Sequence, residues 1–130
     1  MGAEILVDSS YFIERLRAGE DPFEELAAYS EFWDFATCGV VTVEVLRGVK
    51  AKKAHQLLEE LFGSMIYIPT RNSVWERTAQ LAWMLDRRGR FVRVPDLVIA
   101  SCALERDATV LTLDSDFDVI PNLRVLHRLD

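Results

Sequence analysis

The chain has 130 residues, half of them apolar, with 21 acidic and 15 basic side chains and a formal charge of −6. That length and apolar content suit one compact domain with a real core, predicted to span residues 1–130. The longest apolar runs, such as Ile5-Leu6-Val7, fall far short of the about 20 residues that cross a membrane, and the negative balance excludes a protein that coats nucleic acid through its overall field. The start, Met1-Gly2-Ala3-Glu4, has no basic leader region, and Gly2 lacks the Ser or Thr of an N-myristoylation signal. A cytoplasmic protein without membrane association is the expectation.

Short apolar runs alternate with helical stretches, the pattern of a parallel sheet flanked by helices. The predicted fold is α/β, a three-layer α/β/α domain with a mostly parallel central sheet. Residues 4–7 read as a buried strand ending at Asp8. Ser9 or Ser10 is then placed to cap a helix carrying Tyr11, Phe12 and Leu16 as far as Gly19. Asp21-Pro22 opens a second helix through Leu26, Tyr29 and Trp33, because Asp caps well and Pro suits the first helical position.

A short strand near residues 37–42 follows, and residues 43–62 are rich in helix formers, with Leu57, Leu58, Leu61 and Phe62 on one face and Gly48 as a possible break. Glu44 falls in the first turn of that helix. Residues 64–69 suggest a third strand. Asn72 or Ser73 is placed to cap a long helix whose stripe of Trp75, Ala79, Ala82 and Trp83 reads as core. Pro95-Asp96 starts a further helix over residues 97–106, residues 108–113 form a strand leading to Asp114, and residues 123–126 form an edge strand. Cys38 and Cys102 read as small buried hydrophobes, and His55 and His127 carry no ligand spacing.

Singly, each acid has an ordinary explanation as a cap, a first-turn carboxylate or a turn residue. Together they do not. In a parallel α/β sheet the carboxyl ends of strands and the helix starts beyond them share one rim. Asp8, Asp114 and Asp116 end strands, whereas Glu44 and Asp96 begin helices. Carboxylates crowded on one rim repel each other unless a cation compensates, and Mg²⁺ or Mn²⁺ prefers such oxygen ligands. That chemistry suits phosphodiester hydrolysis. Arg47, Lys50, Lys52 and Lys53 follow Glu44, and Arg87, Arg88, Arg90 and Arg93 precede Asp96. These runs suit phosphate contacts or a solvated face. Phe91 among them suits either a base stack or a core position.

Four blocks, Val7-Asp8-Ser9-Ser10, Thr42-Val43-Glu44-Val45-Leu46-Arg47-Gly48, Pro95-Asp96-Leu97-Val98-Ile99-Ala100 and Leu111-Thr112-Leu113-Asp114-Ser115-Asp116-Phe117, give the chain its resemblance. It resembles, over essentially its whole length, the PIN-domain ribonucleases, and within them the VapC-type toxins of toxin–antitoxin pairs. The resemblance implies a Mg²⁺- or Mn²⁺-dependent endoribonuclease acting on RNA, usually a homodimer, inhibited by a cognate antitoxin that inserts a segment into the site. Its metal-binding acids fall on Asp8, Glu44, Asp96 and Asp114, with Asp116 able to replace or assist Asp114. Thr112 matches a small hydroxyl residue near the site, and Ser9 is placed to hold Asp8 or a water. Arg47, Lys50, Arg87, Arg88, Arg90 and Arg93 are the candidate RNA contacts.

Phosphatases that use a nucleophilic aspartate need a D-x-D pair, which Asp8-Ser9-Ser10 lacks, and a phospho-receiver needs an acidic pair after its first strand and a lysine after its last, neither of which appears. The remaining alternatives are a PIN-like module that binds nucleic acid or a partner without catalysis, which is indifferent to metal removal, and a DNA-acting member of the same fold, which only comparison of substrates separates.

Overall fold

The computed structural model describes residues 3–130; Met1 and Gly2, on which part of the leader expectation rests, lie outside the described residues. Five strands, β1 (Ala3–Val7), β2 (Trp33–Cys38), β3 (Ile66–Ile68), β4 (Thr109–Leu111) and β5 (Val125–Leu126), pair in the order β3-β2-β1-β4-β5. Every pairing is parallel. The helices are α1 (Ser9–Arg17), α2 (Glu24–Ala28), α3 (Gly39–Leu46), α4 (Lys52–Gly63), α5 (Asn72–Arg87) and α6 (Val94–Glu105), with a 3-10 turn at Ser115–Val119. Crossovers between parallel strands are right-handed. The steps from β1 to β2 to β3 therefore carry α1 to α4 on one face, and the long return to β4 carries the tightly packed pair α5 and α6 on the other. This is the expected three-layer α/β/α arrangement. Among the described residues no helix is long and apolar enough to cross a membrane.

Ile5, Leu6 and Val7 of the central strand are fully buried because helices cover both faces of the sheet. Phe12 of α1 packs among Tyr11, Phe23 and Phe62, with edge-on ring contacts at 5.9 and 5.2 Å to Tyr11 and Phe62. Helix α6 is buried at every position from Asp96 to Ala103, as expected of a helix apolar all round. Cys38 and Cys102 are buried, as their surroundings in sequence suggested.

Several local expectations are corrected. Helix α1 is capped by Asp8, whose extended backbone and carboxylate serve the Ser10 N–H, rather than by Ser9 or Ser10. Gly19 follows the end of α1 at φ +74°, a left-handed conformation that glycine adopts without steric cost. Helix α2 does not reach Trp33: that residue opens β2, paired with Ala3 of β1. The strand assigned to residues 37–42 accordingly ends at Cys38, and α3 starts at Gly39. Glu44 thus sits in the second turn of α3, one turn later than expected. Gly48 lies in the break that separates α3 from α4. On α4 it is Leu58 and Phe62 that are buried, while Leu57 is exposed. Neither Asn72 nor Ser73 caps α5, whose cap position is Arg71.

The tryptophan stripe is not core. Trp75 and Trp83 are 51% and 63% exposed, and the buried stripe of α5 is Val74, Thr78, Leu81 and Leu85. Helix α5 packs on α6 with Thr78 of this stripe bonded to Ser101 at 3.0 Å, and the indoles fall outside the buried stripe. Trp83 instead stacks under the Arg87 guanidinium at 4.6 Å. Trp83→Ala is therefore expected to cost under about 1 kcal/mol in urea denaturation, against about 3–5 kcal/mol for a core tryptophan.

Candidate metal centre

Parallel pairing sends every strand's carboxyl end to one rim. The direction of chain progression reverses between β1 and β4, and at such a switch point open α/β sheets form a ligand crevice. Asp8 leaves β1 and the segment 112–118 leaves β4 at this place. The Asp8 N–H donates to the Leu111 carbonyl at 2.8 Å and ties the two strand ends together.

The Asp8 carboxylate is held from three sides. Its Oδ2 accepts from the Ser10 hydroxyl at 2.7 Å, the Thr112 hydroxyl at 2.8 Å and the Ser10 N–H at 3.4 Å. Ser9 donates to Glu44 Oε1 at 2.8 Å and stands 3.5 Å from Asp8 Oδ1, so it links the two acids. Its principal partner is Glu44, which α3 brings across from the neighbouring strand. The Thr112 hydroxyl also accepts from the Asp114 N–H at 3.0 Å, and Asp114 caps the 3-10 turn by accepting from the Asp116 N–H at 2.9 Å.

Asp96 differs from the other acids. Pro95 helps to start α6 and the apolar helix draws Asp96 inside, where it is only 3% exposed. Its Oδ2 is buried without a hydrogen-bond partner; the Arg93 guanidinium stands 3.6 Å away, too far for a hydrogen bond. Burial, followed by the negative charge of Asp8, pushes the Asp96 pKa up from 3.8 to about 6. Arg93 opposes the rise, and Asp114 and Glu44 add to it. The acids expected on one rim are close enough to act on a single carboxyl group.

Carboxylate oxygens of Asp96, Asp114 and Asp116 lie within 4.8 Å of one another. A buried carboxylate with one oxygen unpartnered, clustered with two further carboxylates, is costly alone and fits a hard divalent cation, which takes oxygen ligands. Asp8 lies beside this triad with its carboxylate occupied by hydroxyl donors.

The basic candidates divide. Arg93 reaches Asp96. Arg47 lines a hollow of about 470 Å³ beside Glu44, together with Val43, Trp75 and Val94. Arg88 and Arg90 border a different hollow with Asp118. Arg87 is engaged with Trp83, and Lys50 is exposed between α3 and α4, so neither contacts the acids. Phe91, at 78% exposure, is no part of the core. Two site residues had no functional expectation. Ser10 stands in the Asp-Ser-Ser string, and recognising Asp8 as the cap would have turned its hydroxyl onto the carboxylate. His127 bonds to Thr112 and Asp118, 15 and 9 residues away, a pairing with no local signal.

A model of the PIN domain matches residues 5–123. VapC ribonuclease Mb1587 of Mycobacterium bovis is 30% identical over 128 residues, covering 95% of this chain and 96% of the relative; Ribonuclease VapC11 of Mycobacterium tuberculosis matches to the same extent. Among solved structures, DNA-bound VapBC from Salmonella typhimurium superposes with a TM-score of 0.80 at 18% identity, covering 95% of this chain and 97% of that one. VapBC-5 from Mycobacterium tuberculosis superposes with a TM-score of 0.67 at 28% identity, covering 95% and 96%. Sequence likeness along nearly the full length, the shared fold and the acidic rim agree, and the chain belongs to the PIN-domain family, among the VapC-type ribonucleases.

Proposed function

We propose that this chain is a Mg²⁺- or Mn²⁺-dependent endoribonuclease, the toxin of a toxin–antitoxin pair, acting in the cytoplasm as a single domain over residues 1–130. The observation that carries the reading is the buried Asp96, one of its oxygens unpartnered, clustered with Asp114 and Asp116. Asp96, Asp114 and Asp116 hold the cation, with Asp8 alongside, and Asp8, Glu44, Asp96 and Asp114 form the catalytic set. A divalent cation, when bound, neutralises these carboxylates and supplies Lewis-acid chemistry to a phosphodiester. Thr112 and Ser10 fix the Asp8 carboxylate, and Ser9 orients Glu44. Arg93, which reaches Asp96, and Arg47, beside Glu44, draw in an RNA backbone that the acids alone would repel, and Arg88, Arg90, Lys50 and Arg87 add positive charge.

A cognate antitoxin as partner is supported by the VapBC complexes among similar structures. A homodimer is the expected assembly, and the apolar walls of the hollow beside Glu44 offer surface for a second copy. The test is incubation of purified protein with single-stranded, hairpin and transfer RNAs in Mn²⁺, Mg²⁺ or EDTA. Cleavage in either metal and none in EDTA is expected. RNA binding without cleavage, unaffected by EDTA, would replace the nuclease by the binding-module reading.

A further inference from the structure

His127, just beyond β5, bonds through both ring nitrogens. Nδ1 lies 2.8 Å from the Thr112 carbonyl oxygen, and Nε2 lies 3.0 Å from Asp118 Oδ1. A carbonyl oxygen and an ionised carboxylate only accept. A neutral imidazole has one N–H and satisfies one of them, whereas the imidazolium donates to both. The charge state of His127 is therefore written in its partners.

We propose that His127, held as the imidazolium, is a positioning residue that clasps both ends of the segment 112–118 and so presents Asp114 and Asp116 to Asp96. The role rests on the reading of these acids as a metal site. Thr112 is fixed on three sides: its carbonyl by His127, its N–H by the Leu126 carbonyl at 3.0 Å, and its hydroxyl by Asp8 at 2.8 Å. At the other end Asp118 sits in the 3-10 turn that Asp114 caps. One cation thus braces the strand end and the turn between which both candidate ligands hang.

The charged groups facing the clasp are few. Asp118 comes from the 3-10 turn, and Arg88 and Arg90, from the end of α5 and the loop after it, border the hollow that Asp118 lines. On the tail itself Arg128 pairs with Asp130. The Thr112 carbonyl and then Asp118 both raise the His127 pKa above its ordinary 6.5. The ring is partly exposed and free to exchange its proton with solvent. When it loses that proton one of the two bonds goes, and Arg88 and Arg90 border the hollow that Asp118 lines.

The first arm of the test is an NMR titration of the His127 ring in metal-free protein. Protonation of both ring nitrogens at pH 7, and a lower pKa in Asp118→Asn, are expected; a neutral ring at pH 7 overturns the clasp whatever the protein's activity. The second arm measures Mn²⁺ affinity by calorimetry for wild type, His127→Gln and Asp118→Asn from pH 6.5 to 8.5. Wild type should bind roughly tenfold more tightly than either variant at the low end, with the ratio shrinking toward one as the ring deprotonates. A ratio that stays constant with pH, or equal affinities throughout, overturns the positioning role. Should His127→Gln fail to fold, Asp118→Asn carries the comparison alone. Failure of wild type to bind Mn²⁺ at all would end the metal reading and the positioning role with it, whereas the ring titration still reports whether the clasp exists.

Discussion

Asp96→Asn is expected to lower metal-dependent RNA cleavage by at least about 100-fold while making the metal-free protein more stable at neutral pH. A lost ligand charge of several kcal/mol in the transition state corresponds to a hundredfold or more in rate. The stability gain has the opposite origin. The fold raises the Asp96 pKa from 3.8 to about 6, so the folded chain prefers the protonated acid. A raised folded-state value contributes stability that is fully present below about pH 3.8 and lost as the pH rises through about 6. At pH 7 the ionised buried carboxylate costs on the order of 3 kcal/mol, and asparagine, of the same shape, does not carry that cost.

Thermal unfolding without metal should therefore rise by several degrees at pH 7 in the variant and converge with wild type near pH 4. Added Mn²⁺ should stabilise wild type, by about 2.7 kcal/mol at a hundredfold excess over its dissociation constant, and leave the variant unchanged. A variant less stable at both pH values would mean that Asp96 serves the packing of α6, and cleavage at the wild-type rate would remove it from the catalytic set.

Thr112→Val should destabilise the protein by about 2–4 kcal/mol in urea denaturation at pH 7 and weaken Mn²⁺ binding. Valine keeps the shape of this fully buried side chain but lacks the hydroxyl that donates to Asp8 and accepts from the Asp114 N–H. Hydrogen bonds to charged groups contribute about 1.5–3 kcal/mol, and the half-buried Asp114 N–H left without its acceptor adds about 1 kcal/mol. The Ser10 hydroxyl, 3.2 Å from Thr112 and already engaged by Asp8, recovers part of this. Thr112→Ser should restore most of the loss. A cost below about 0.5 kcal/mol would show that Asp8 is held adequately without Thr112.

By itself the sequence determined the class of fold and nominated the acids of the candidate site. The alternation of apolar strands with helical stretches is a local signal, and the acids at strand ends and helix starts were legible because a parallel sheet gathers those positions on one rim. Element boundaries were less legible where local preference met a tertiary requirement. Trp33 could extend a helix, yet it pairs with β1; Trp75 and Trp83 share one stripe of α5, yet the stripe that packs inward is Val74, Thr78, Leu81 and Leu85.

Only the tertiary structure decided how the acids differ from one another. Asp8 is satisfied by hydroxyls, Glu44 is held by Ser9, and Asp96 is left buried with one oxygen unpartnered, in a cluster with Asp114 and Asp116. It also brought in His127, whose two partners come from separate elements. Spacing along a chain records which residues can reach a rim, but the burial, donors and charges that set the state of each group come from segments distant in sequence and exist only once those segments pack.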